Sequence, residues 1–383
     1  MSCHLRSCGA DDKRIQIVLL SWLSNLEKMR RIITLLIINV FFGCSDDSGS
    51  YQIIDEPISV DLENVPYPKL SNYNFFTGDL KSLTPHEDLL LYKPNSELFT
   101  DYAKKTRYIW IPQNSKANFV SENSPLNLPV GSVLIKLFYY DESQISSGKK
   151  IIETRLMIRK NEGWIFATYK WNEQQTEAYI DMNASTVSLI ITHNSETIAL
   201  DYAIPSELQC FTCHSVNEEI VPIGIKPIHL NNILNYPDGN FNQLNRWIQK
   251  GKLENNLPSN ISSVVDYSDT SKTLEERTRA YFDIQCAHCH QTGGNAMYAS
   301  LQLSYHLTAI PQNVGICNTP SIPIPEISQG RIVSPQNPEG STLHYMMNTN
   351  NSFFKMPRIG RTIVHKEGVQ LVEDWINSLE ECD

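Results

Sequence analysis

The sequence predicts an α+β, multidomain chain in which a β-rich N-terminal domain, an antiparallel sandwich or barrel, precedes a mostly α-helical region. Three observations predict this class. The chain has 383 residues, 41% of them hydrophobic, which is enough for two or three domains that each bury a core. Runs of β-branched and aromatic residues recur up to about residue 208. Helical patterns follow from residue 209.

The composition excludes several classes of protein. Twenty Pro and 17 Gly are ordinary numbers for this length, which excludes collagen-like and long low-complexity chains. The formal net charge of −10 argues against nucleic acid as the main partner. Because no apolar run reaches the length of a membrane span, we expect the body of the protein to be soluble.

Residues 1–43 are predicted to be an N-terminal extension and a lipoprotein signal peptide. After Met29, the basic pair Arg30-Arg31 precedes an 11-residue apolar run, and a glycine stands directly before Cys44. This order is typical of an export signal, and the run is too short to span a bilayer. We therefore expect translation to start at Met29 and Cys44 to carry the lipid. The alternative is a buried apolar helix with an incidental cysteine.

Residues 44–68 are predicted to be a linker, and residues 69–208 the β-rich domain. The linker is polar and lacks periodicity. The stretches 132–140 and 151–160 are rich in β-branched and aromatic residues, as strands are. Further strands are expected at 164–171, 177–182 and 186–192. No pair of catalytic groups stands out in this domain, so we expect it to have a structural or docking role.

The remainder of the chain is predicted to contain a first unit at 209–253, a linker at 254–272 and a second domain at 273–383. Helices are expected at 240–250 and 273–285. The second of these opens with a capping box formed by Thr273 and Glu276. An amphipathic helix is expected to end the chain, because an apolar stripe runs through Val369, Val372, Ile376 and Leu379.

Two short motifs carry most of the chemical information in the sequence. They are Cys210-Phe211-Thr212-Cys213-His214 and Cys286-Ala287-His288-Cys289-His290. Both have the C-x-x-C-H spacing of c-type haem attachment. Two thiols three positions apart can each form a thioether with a haem vinyl group, and the adjacent histidine can then ligate the iron. The sequence therefore predicts two covalently attached haem c groups.

Other interpretations of the motifs are weaker. Paired cysteines can bind zinc, but structural zinc pairs usually lie closer in sequence than the 72 residues between Cys213 and Cys286. A thioredoxin-like redox motif expects a βαβ context, which neither motif has.

Met356 is predicted to be the sixth ligand of the second haem iron. It precedes a proline shortly before the terminal helix, whereas the other methionines after the motif are Met297, Met346 and Met347. Ligation by histidine and methionine raises the reduction potential and suits electron transfer. The alternative is an apolar methionine of the core.

The first haem has no equivalent methionine, since none occurs between Met182 and Met297. His229 is a weak candidate, because a lone histidine more often has a structural role. The other options are a ligand from another domain and an open position. His288, inside the second motif, is expected to be a spacer.

Two further cysteines, Cys317 and Cys382, remain once the motif cysteines, Cys44 and the two cysteines upstream of it are set aside. Both lie in the second domain of a chain predicted to enter an oxidising compartment, so we expect a disulfide between them. The alternative is two free thiols.

The combined pattern resembles a group of bacterial dihaem c-type cytochromes, many of them lipoproteins, over residues 69–383. Besides the two motifs, the resemblance rests on the segments 70–73, 98–105, 171–178, 315–317 and 375–382. The second domain is similar to a small cytochrome c domain. The resemblance implies haem attachment at the four motif cysteines, with His214, His290 and Met356 as axial ligands. It implies no substrate.

These observations predict an exported, membrane-anchored dihaem c-type cytochrome that transfers single electrons and is not itself an enzyme. The alternatives are a dihaem peroxidase-like enzyme with an open first haem and a cytochrome subunit that docks to a separate dehydrogenase. Residues 44–383 hold 26 Lys and Arg against 39 Asp and Glu, so the redox partner is expected to have a basic docking face. Ser45 does not indicate inner-membrane retention. The expected location is thus the periplasm or cell surface, with a lipid anchor in the outer membrane.

The replacement Cys44→Ser is expected to release the protein from membranes, because it removes the acylated side chain. Fractionation of cells that express the full chain measures this. The conservative control is Cys8→Ser, which lies upstream of the predicted start and should change nothing. Full membrane retention of the Cys44→Ser variant would contradict lipidation.

Overall fold

Antiparallel β-structure dominates the first half of the chain. The computed structural model describes residues 56–327 and 330–382, so the predicted signal peptide and Cys44 lie outside the described residues. Within this part the strands are β1 Phe76–Thr77, β2 Thr84–Pro85, β3 Leu90–Leu91, β4 Lys104–Trp110, β5 Val133–Tyr140, β6 Lys150–Lys160, β7 Gly163–Trp171, β8 Ala178–Ile180, β9 Ser185–His193, β10 Glu196–Ile204, β11 Ser215–Val216, β12 Glu219–Ile220, β13 Ile233–Tyr236 and β14 Gly239–Asn242.

Six of these strands form the main sheet, in the order β3-β4-β5-β6-β7-β8. Every neighbouring pair is antiparallel, so strands adjacent in the chain are also adjacent in the sheet. The remaining strands form four separate two-stranded hairpins. The prediction of a β-rich, antiparallel domain is therefore confirmed. In the described residues its main element is one open six-stranded sheet and not a barrel, because β3 and β8 do not pair.

Both faces of the main sheet are covered. Val133, Ile135 and Leu137 of β5 contribute to a buried cluster on one face, which the segment preceding β3 helps to form. Side chains alternate along a strand, so Leu134 lies on the opposite face. There it shares a second buried cluster with Phe166 of β7 and with residues from beyond the sheet. Apolar residues on both faces indicate that this sheet lies inside the molecule.

The α-helices of the described residues all lie beyond residue 206, and the 3-10 helices Leu70–Tyr73 and Leu80–Ser82 precede β1 and β2. The α-helices are α1 Glu207–His214, α2 Pro227–Leu230, α3 Gln243–Gln249, α4 Leu274–Gln285, α5 Thr342–Met347 and α6 Lys366–Asn377. None of the helices in this part of the chain is long and apolar enough to cross a bilayer.

Local capping explains where the helices begin. The predicted capping box at the start of α4 is confirmed. The Thr273 side chain accepts a hydrogen bond from the Glu276 backbone N–H, and the Glu276 carboxylate accepts one from the Thr273 backbone N–H. The helix predicted at 240–250 begins later than expected. Residues up to Asn242 belong to β14, and the Asn242 side chain caps α3 by accepting from the Asn245 backbone.

The region beyond residue 209 is less regular than the sequence predicts. Long stretches without helix or strand, such as residues 315–327 and 330–341, separate α4 from α5. The predicted linker at 254–272 also lacks regular structure, but Val264 within it is 1% exposed and packs beside Ile228 and Ala280. The described residues belong to one compact unit. The proposed division into smaller domains therefore stays a prediction.

Cys317 and Cys382 are joined by a disulfide, with their Cα atoms 6.0 Å apart. These are the two cysteines that the sequence analysis paired. The bond links the residue five positions beyond α6 to the irregular segment that follows α4. It therefore ties the end of the chain to the part that surrounds the second motif.

Replacing both cysteines by serine is expected to lower the free energy of unfolding by about 2–4 kcal/mol, because the bond closes a long loop in the unfolded chain. The loop spans 65 residues. Denaturant unfolding followed by tryptophan fluorescence measures the change. Wild-type protein kept under reducing conditions is the matched control and should lose a similar amount. An unchanged midpoint in both would contradict a stabilising role.

Candidate functional site

The first motif occupies the end of a short helix. α1 begins after Ser206, which forms a capping box with Gln209. Cys210 and Cys213 are three positions apart, which places them on the same side of this helix, and His214 is its last residue. Both thiols are free, and Cys210 is buried. The helix thus presents two thiols and an imidazole within two turns.

His214 is held as a neutral imidazole with one ring nitrogen engaged. Its Nδ1 donates to the carbonyl of Val221 at 2.9 Å. The ring of Phe166 lies edge-on to the imidazole, with centroids 5.3 Å apart. Burial lowers the pKa of His214 to about 3, so the ring is uncharged at neutral pH. A neutral histidine whose Nδ1 is bonded to a carbonyl keeps its Nε2 lone pair for a metal.

The second motif forms a turn at the end of α4. The Cys286 backbone N–H donates to the carbonyl of Phe282 and closes the helix. The backbone N–H groups of Cys289 and His290 donate in turn to the Cys286 carbonyl, at 3.1 and 3.0 Å. Both thiols are free. The spacing of the motif therefore gives the same local grouping of two thiols and one imidazole as in α1.

His290 is also a neutral imidazole. Burial lowers its pKa to about 4. Its Nδ1 is buried and makes no hydrogen bond within the described part of the chain. Unlike His214, it thus has no backbone acceptor that fixes its tautomer.

A cavity of about 340 Å³ lies beside the second motif. It is lined by Cys286, Cys289 and His290 of the motif and by three methionines, Met346, Met347 and Met356. The fourth methionine considered above, Met297, is 57% exposed and does not line this cavity. The fold thus brings Met356 and His290 to one cavity, and Met346 and Met347 stay as alternatives.

Residues 346–363 carry Met346, Met347 and Met356 and are called the methionine segment below. Arg361, which belongs to this segment, holds its backbone in place. Its side chain is 3% exposed. It donates to the carbonyls of Met356 at 3.0 Å, Met347 at 3.2 Å and Thr349 at 2.8 Å, and to the side-chain oxygen of Asn350 at 3.0 Å. These bonds join both halves of the segment to one rigid guanidinium. The position of Met356 beside the cavity therefore depends on Arg361.

Asp101 ties the same segment to the β-rich part of the chain. Its carboxylate is almost fully buried. It accepts the backbone N–H of Thr362 at 2.7 Å, the Thr362 hydroxyl at 2.9 Å and the N–H of Ile363 at 3.1 Å. Hydrogen bonds to a charged acceptor are stronger than neutral ones. Thr362, next to Arg361, is thus bonded to a residue that lies 261 positions earlier in the sequence.

A second cavity, of about 120 Å³, lies between the first motif and the main sheet. Cys210, Cys213 and His214 line it on one side. The sheet contributes Lys136, Arg155, Met157, Phe166 and Thr168 to its wall. Pro357 and Gly360 of the methionine segment line it as well. A methionine from the β-rich domain, Met157, therefore lies in the same cavity as His214, which the sequence analysis did not anticipate.

His229 does not have a free Nε2. It is 1% exposed, and its Nε2 is bonded to Asp283 at 2.6 Å. Lys226 donates to the same carboxylate at 2.9 Å. Burial opposes ionisation of Asp283, but these two partners outweigh it and hold its pKa well below the usual range. His229 shares a cavity with His214, yet its Nε2 is committed to Asp283. This geometry disfavours ligation through Nε2.

The two motifs touch each other. The Cys289 thiol donates to the Thr212 carbonyl at 3.6 Å, and Asn295 donates to the same carbonyl at 3.1 Å. Sulfur and nitrogen donor atoms of Cys213, His288 and Cys289 all lie within 4.8 Å of one another. His288, expected to be a spacer, therefore lies at the junction of the motifs. The two motifs are thus close in space although they are far apart in sequence, so their sequence separation no longer argues against a shared metal site.

The thiols differ in their protonation. Burial raises the pKa of Cys286 to about 12 and also raises the pKa of Cys210. The hydrogen bond between Cys213 and Cys289 raises the pKa of Cys213 and lowers that of Cys289. Cys289 is therefore the motif thiol whose pKa lies below its ordinary value.

Sequence reasoning found the six residues of the motifs but not the residues that position them. Arg361, Asp101 and Asp283 act through bonds to residues distant in sequence. No periodicity or spacing marks them. The only available signal was that Asp101 lies in one of the segments that carry the resemblance. Comparison of the chain with protein-family models, with curated proteins and with solved structures finds no match.

The replacement Arg361→Met is expected to lower the free energy of unfolding by at least about 2 kcal/mol, because it leaves buried carbonyl groups without donors. Methionine fills much of the volume, so lost hydrogen bonding is the main change. Denaturant unfolding measures the effect. The matched control is Arg358→Met in the same segment, whose side chain is exposed. Equal stability of the two variants would contradict the role assigned to Arg361.

Proposed function

We propose that this protein is an exported, membrane-anchored dihaem c-type cytochrome that transfers single electrons through two covalently bound haems. The observation that carries the proposal is the presence of two C-x-x-C-H motifs. Each motif offers two free thiols and one neutral imidazole on the wall of a cavity. Free thiols, neutral imidazoles and adjacent space are what covalent haem attachment requires.

The motif residues fit haem in defined roles. Cys210 and Cys213 would hold the first haem and His214 would ligate its iron. The bond from His214 to Val221 supports this role, because it orients the ring and increases the basicity of the free nitrogen. Cys286, Cys289 and His290 would do the same for the second. When bound, each haem supplies a one-electron iron couple.

The chain supports electron transfer by keeping the two attachment sites in contact. Cys289 of the second motif lies against Thr212 of the first. The walls of the larger cavity are mostly apolar, which favours a site of low dielectric constant. Arg361 and Asp101 restrain the segment that carries Met356. These features favour an electron-transfer protein, since a rigid site reorganises little when its charge changes.

Anchoring and partner choice rest on the sequence alone. Lipidation at Cys44 would place the protein in the periplasm or at the cell surface, on the outer membrane. The acidic balance of residues 44–383 favours a redox partner with a basic docking face.

A metal-ion site is the second candidate function. The cluster of Cys213, His288 and Cys289 offers three ligands of the kind that zinc prefers. This site would leave Cys210, Cys286 and both terminal histidines of the motifs without a role. The haem proposal uses all of these residues, and it is therefore preferred.

Expression of the full chain in a host that attaches c-type haem is expected to give two haems per chain. The double variants Cys210→Ser/Cys213→Ser and Cys286→Ser/Cys289→Ser should each lose one, because both thioethers of one site are removed. Haem staining after denaturing electrophoresis and intact mass measure this. The control Cys317→Ser/Cys382→Ser should keep both haems. Haem-free protein that binds one zinc ion per chain would favour the second candidate function.

The replacement Met356→Ala is expected to lower the potential of the second haem and to open its site to small ligands, because the thioether is lost. Redox titration and the visible spectrum with added imidazole measure both effects. The controls Met346→Ala and Met347→Ala change methionines of the same cavity. If one of these controls alters the spectrum and Met356→Ala does not, the sixth ligand is that methionine.

A further inference from the structure

Three cations stand side by side on the main sheet. Arg107 of β4 is paired in register with Lys136 of β5, and Lys136 is paired with Arg155 of β6. We call these three residues the basic row. Like charges directly opposite each other on neighbouring strands destabilise a sheet. Such a row therefore needs a compensating interaction.

The basic row lies on the face of the sheet that carries the first motif. Ile135 and Leu137 flank Lys136 in sequence and belong to the cluster on the other face. Because side chains alternate, Lys136 must lie on the same face as Leu134. That face packs against Cys210. Lys136 and Arg155 accordingly line the cavity that Cys210, Cys213 and His214 share.

The carboxylates near the basic row neutralise only part of its charge. Arg155 donates to Glu153 through Nε at 2.8 Å, and Tyr202 donates to the same carboxylate at 2.7 Å. Arg107 lies 3.4 Å from Glu97. The third cation, Lys136, forms no ion pair or hydrogen bond within the described part of the chain, and its ammonium stands 4.9 Å from the Phe138 ring centroid.

A fourth cation, Lys105, increases the imbalance. It lies two positions from Arg107 on the same strand, and its ammonium donates only to the Ala103 carbonyl, at 2.8 Å. Burial and the neighbouring Arg107 lower the pKa of Lys105 to about 7, and burial lowers the pKa of Lys136 as well. Basic side chains therefore outnumber carboxylates on this face, because Arg159 of β6 and Lys170 of β7 also stand on it by alternation, beside Glu153 and the nearby Glu97. The further carboxylate nearby, Asp101, is occupied by Thr362 and Ile363.

Buried cations are normally paired, and an unpaired one is costly. Lys136 faces the cavity between the sheet and α1 without a carboxylate partner among the described residues, so an anion in that cavity would be bound favourably. The two thiols and the imidazole of the first motif line the same cavity. A haem attached there carries two carboxylate side chains of its own, which are anions of the kind that this basic face can bind.

We propose that the basic row, with Lys136 at its centre, binds the carboxylate side chains of the first haem. This inference rests on the proposed function, since it needs haem at Cys210 and Cys213. It assigns a role to the β-rich domain: its sheet supplies the charged wall of the first haem site. A free small carboxylate such as acetate could bind the same residues. The experiment below distinguishes it from the carboxylates of the haem.

The test compares Lys136→Met with wild type in the full chain carrying both haems. A cation beside haem stabilises the reduced, less positive state, so its removal should lower one of the two potentials. The expected change is about tenfold in the one-electron equilibrium constant, which corresponds to about 59 mV. Met356→Ala should shift the potential of the second haem, so the two variants together show which potential belongs to which haem. Lys136→Arg keeps the charge and should stay near wild type.

The control Lys81→Met removes an exposed lysine from the segment packed on the opposite face of the sheet. It should leave both potentials unchanged. Haem content and unfolding midpoints are measured for every variant. They show whether a change in reduction potential is caused by misfolding. If Lys136→Met fails to fold, Lys136→Gln, which keeps a polar side chain, takes its place.

The possible results distinguish a failure of this inference from a failure of the proposed function. If no haem is attached at the first motif of the wild-type chain, the proposed function fails. If haem is attached and Lys136→Met leaves both potentials unchanged, the basic row does not bind its carboxylates and this inference alone fails. If added acetate perturbs the spectrum of wild type but not of Lys136→Met, the row binds a free carboxylate, which also overturns the inference.

Discussion

The packing of α1 against the second face of the main sheet is the constraint on which both candidate sites depend. Leu134 and Phe166 from the sheet share one buried cluster with Cys210 of the helix. This burial of apolar surface holds the first motif against the sheet. Thr212, in the same motif, then meets Cys289 of the second motif. The sheet thereby determines the distance between two motifs that are separated by more than 70 residues of sequence.

Buried charged groups hold segments that have little regular structure. The methionine segment has little regular structure, yet the backbone around it is held by Arg361 from one side and Asp101 from the other. Lys226 and His229 similarly converge on Asp283 in α4, close to the second motif. The charged groups Arg361, Asp101 and Asp283 each have hydrogen-bond partners, which is the condition for a buried charge to be tolerated. Lys136 has no such partner among the described residues.

The protonation state of the two motif histidines supports the proposed ligation of haem iron. Burial keeps both terminal histidines uncharged, and an uncharged imidazole is the form that ligates iron. The bond from His214 to a backbone carbonyl fixes its tautomer, while His290 has no such partner among the described residues. The two sites therefore share a sequence motif but differ in the support each histidine receives. Identical spacing does not imply identical tuning of the metal.

The sequence by itself determined strands β5 to β9, the capping box of α4 and the positions of the two motifs, because alternation, capping and the C-x-x-C-H spacing are local properties of the chain. Only the tertiary structure decided which groups share a cavity. It placed Met356 with His290, committed His229 to Asp283, and brought Met157 and Lys136 to the first motif. Such contacts join residues far apart in the chain, and they follow from how the sheet faces pack, which no short-range pattern records.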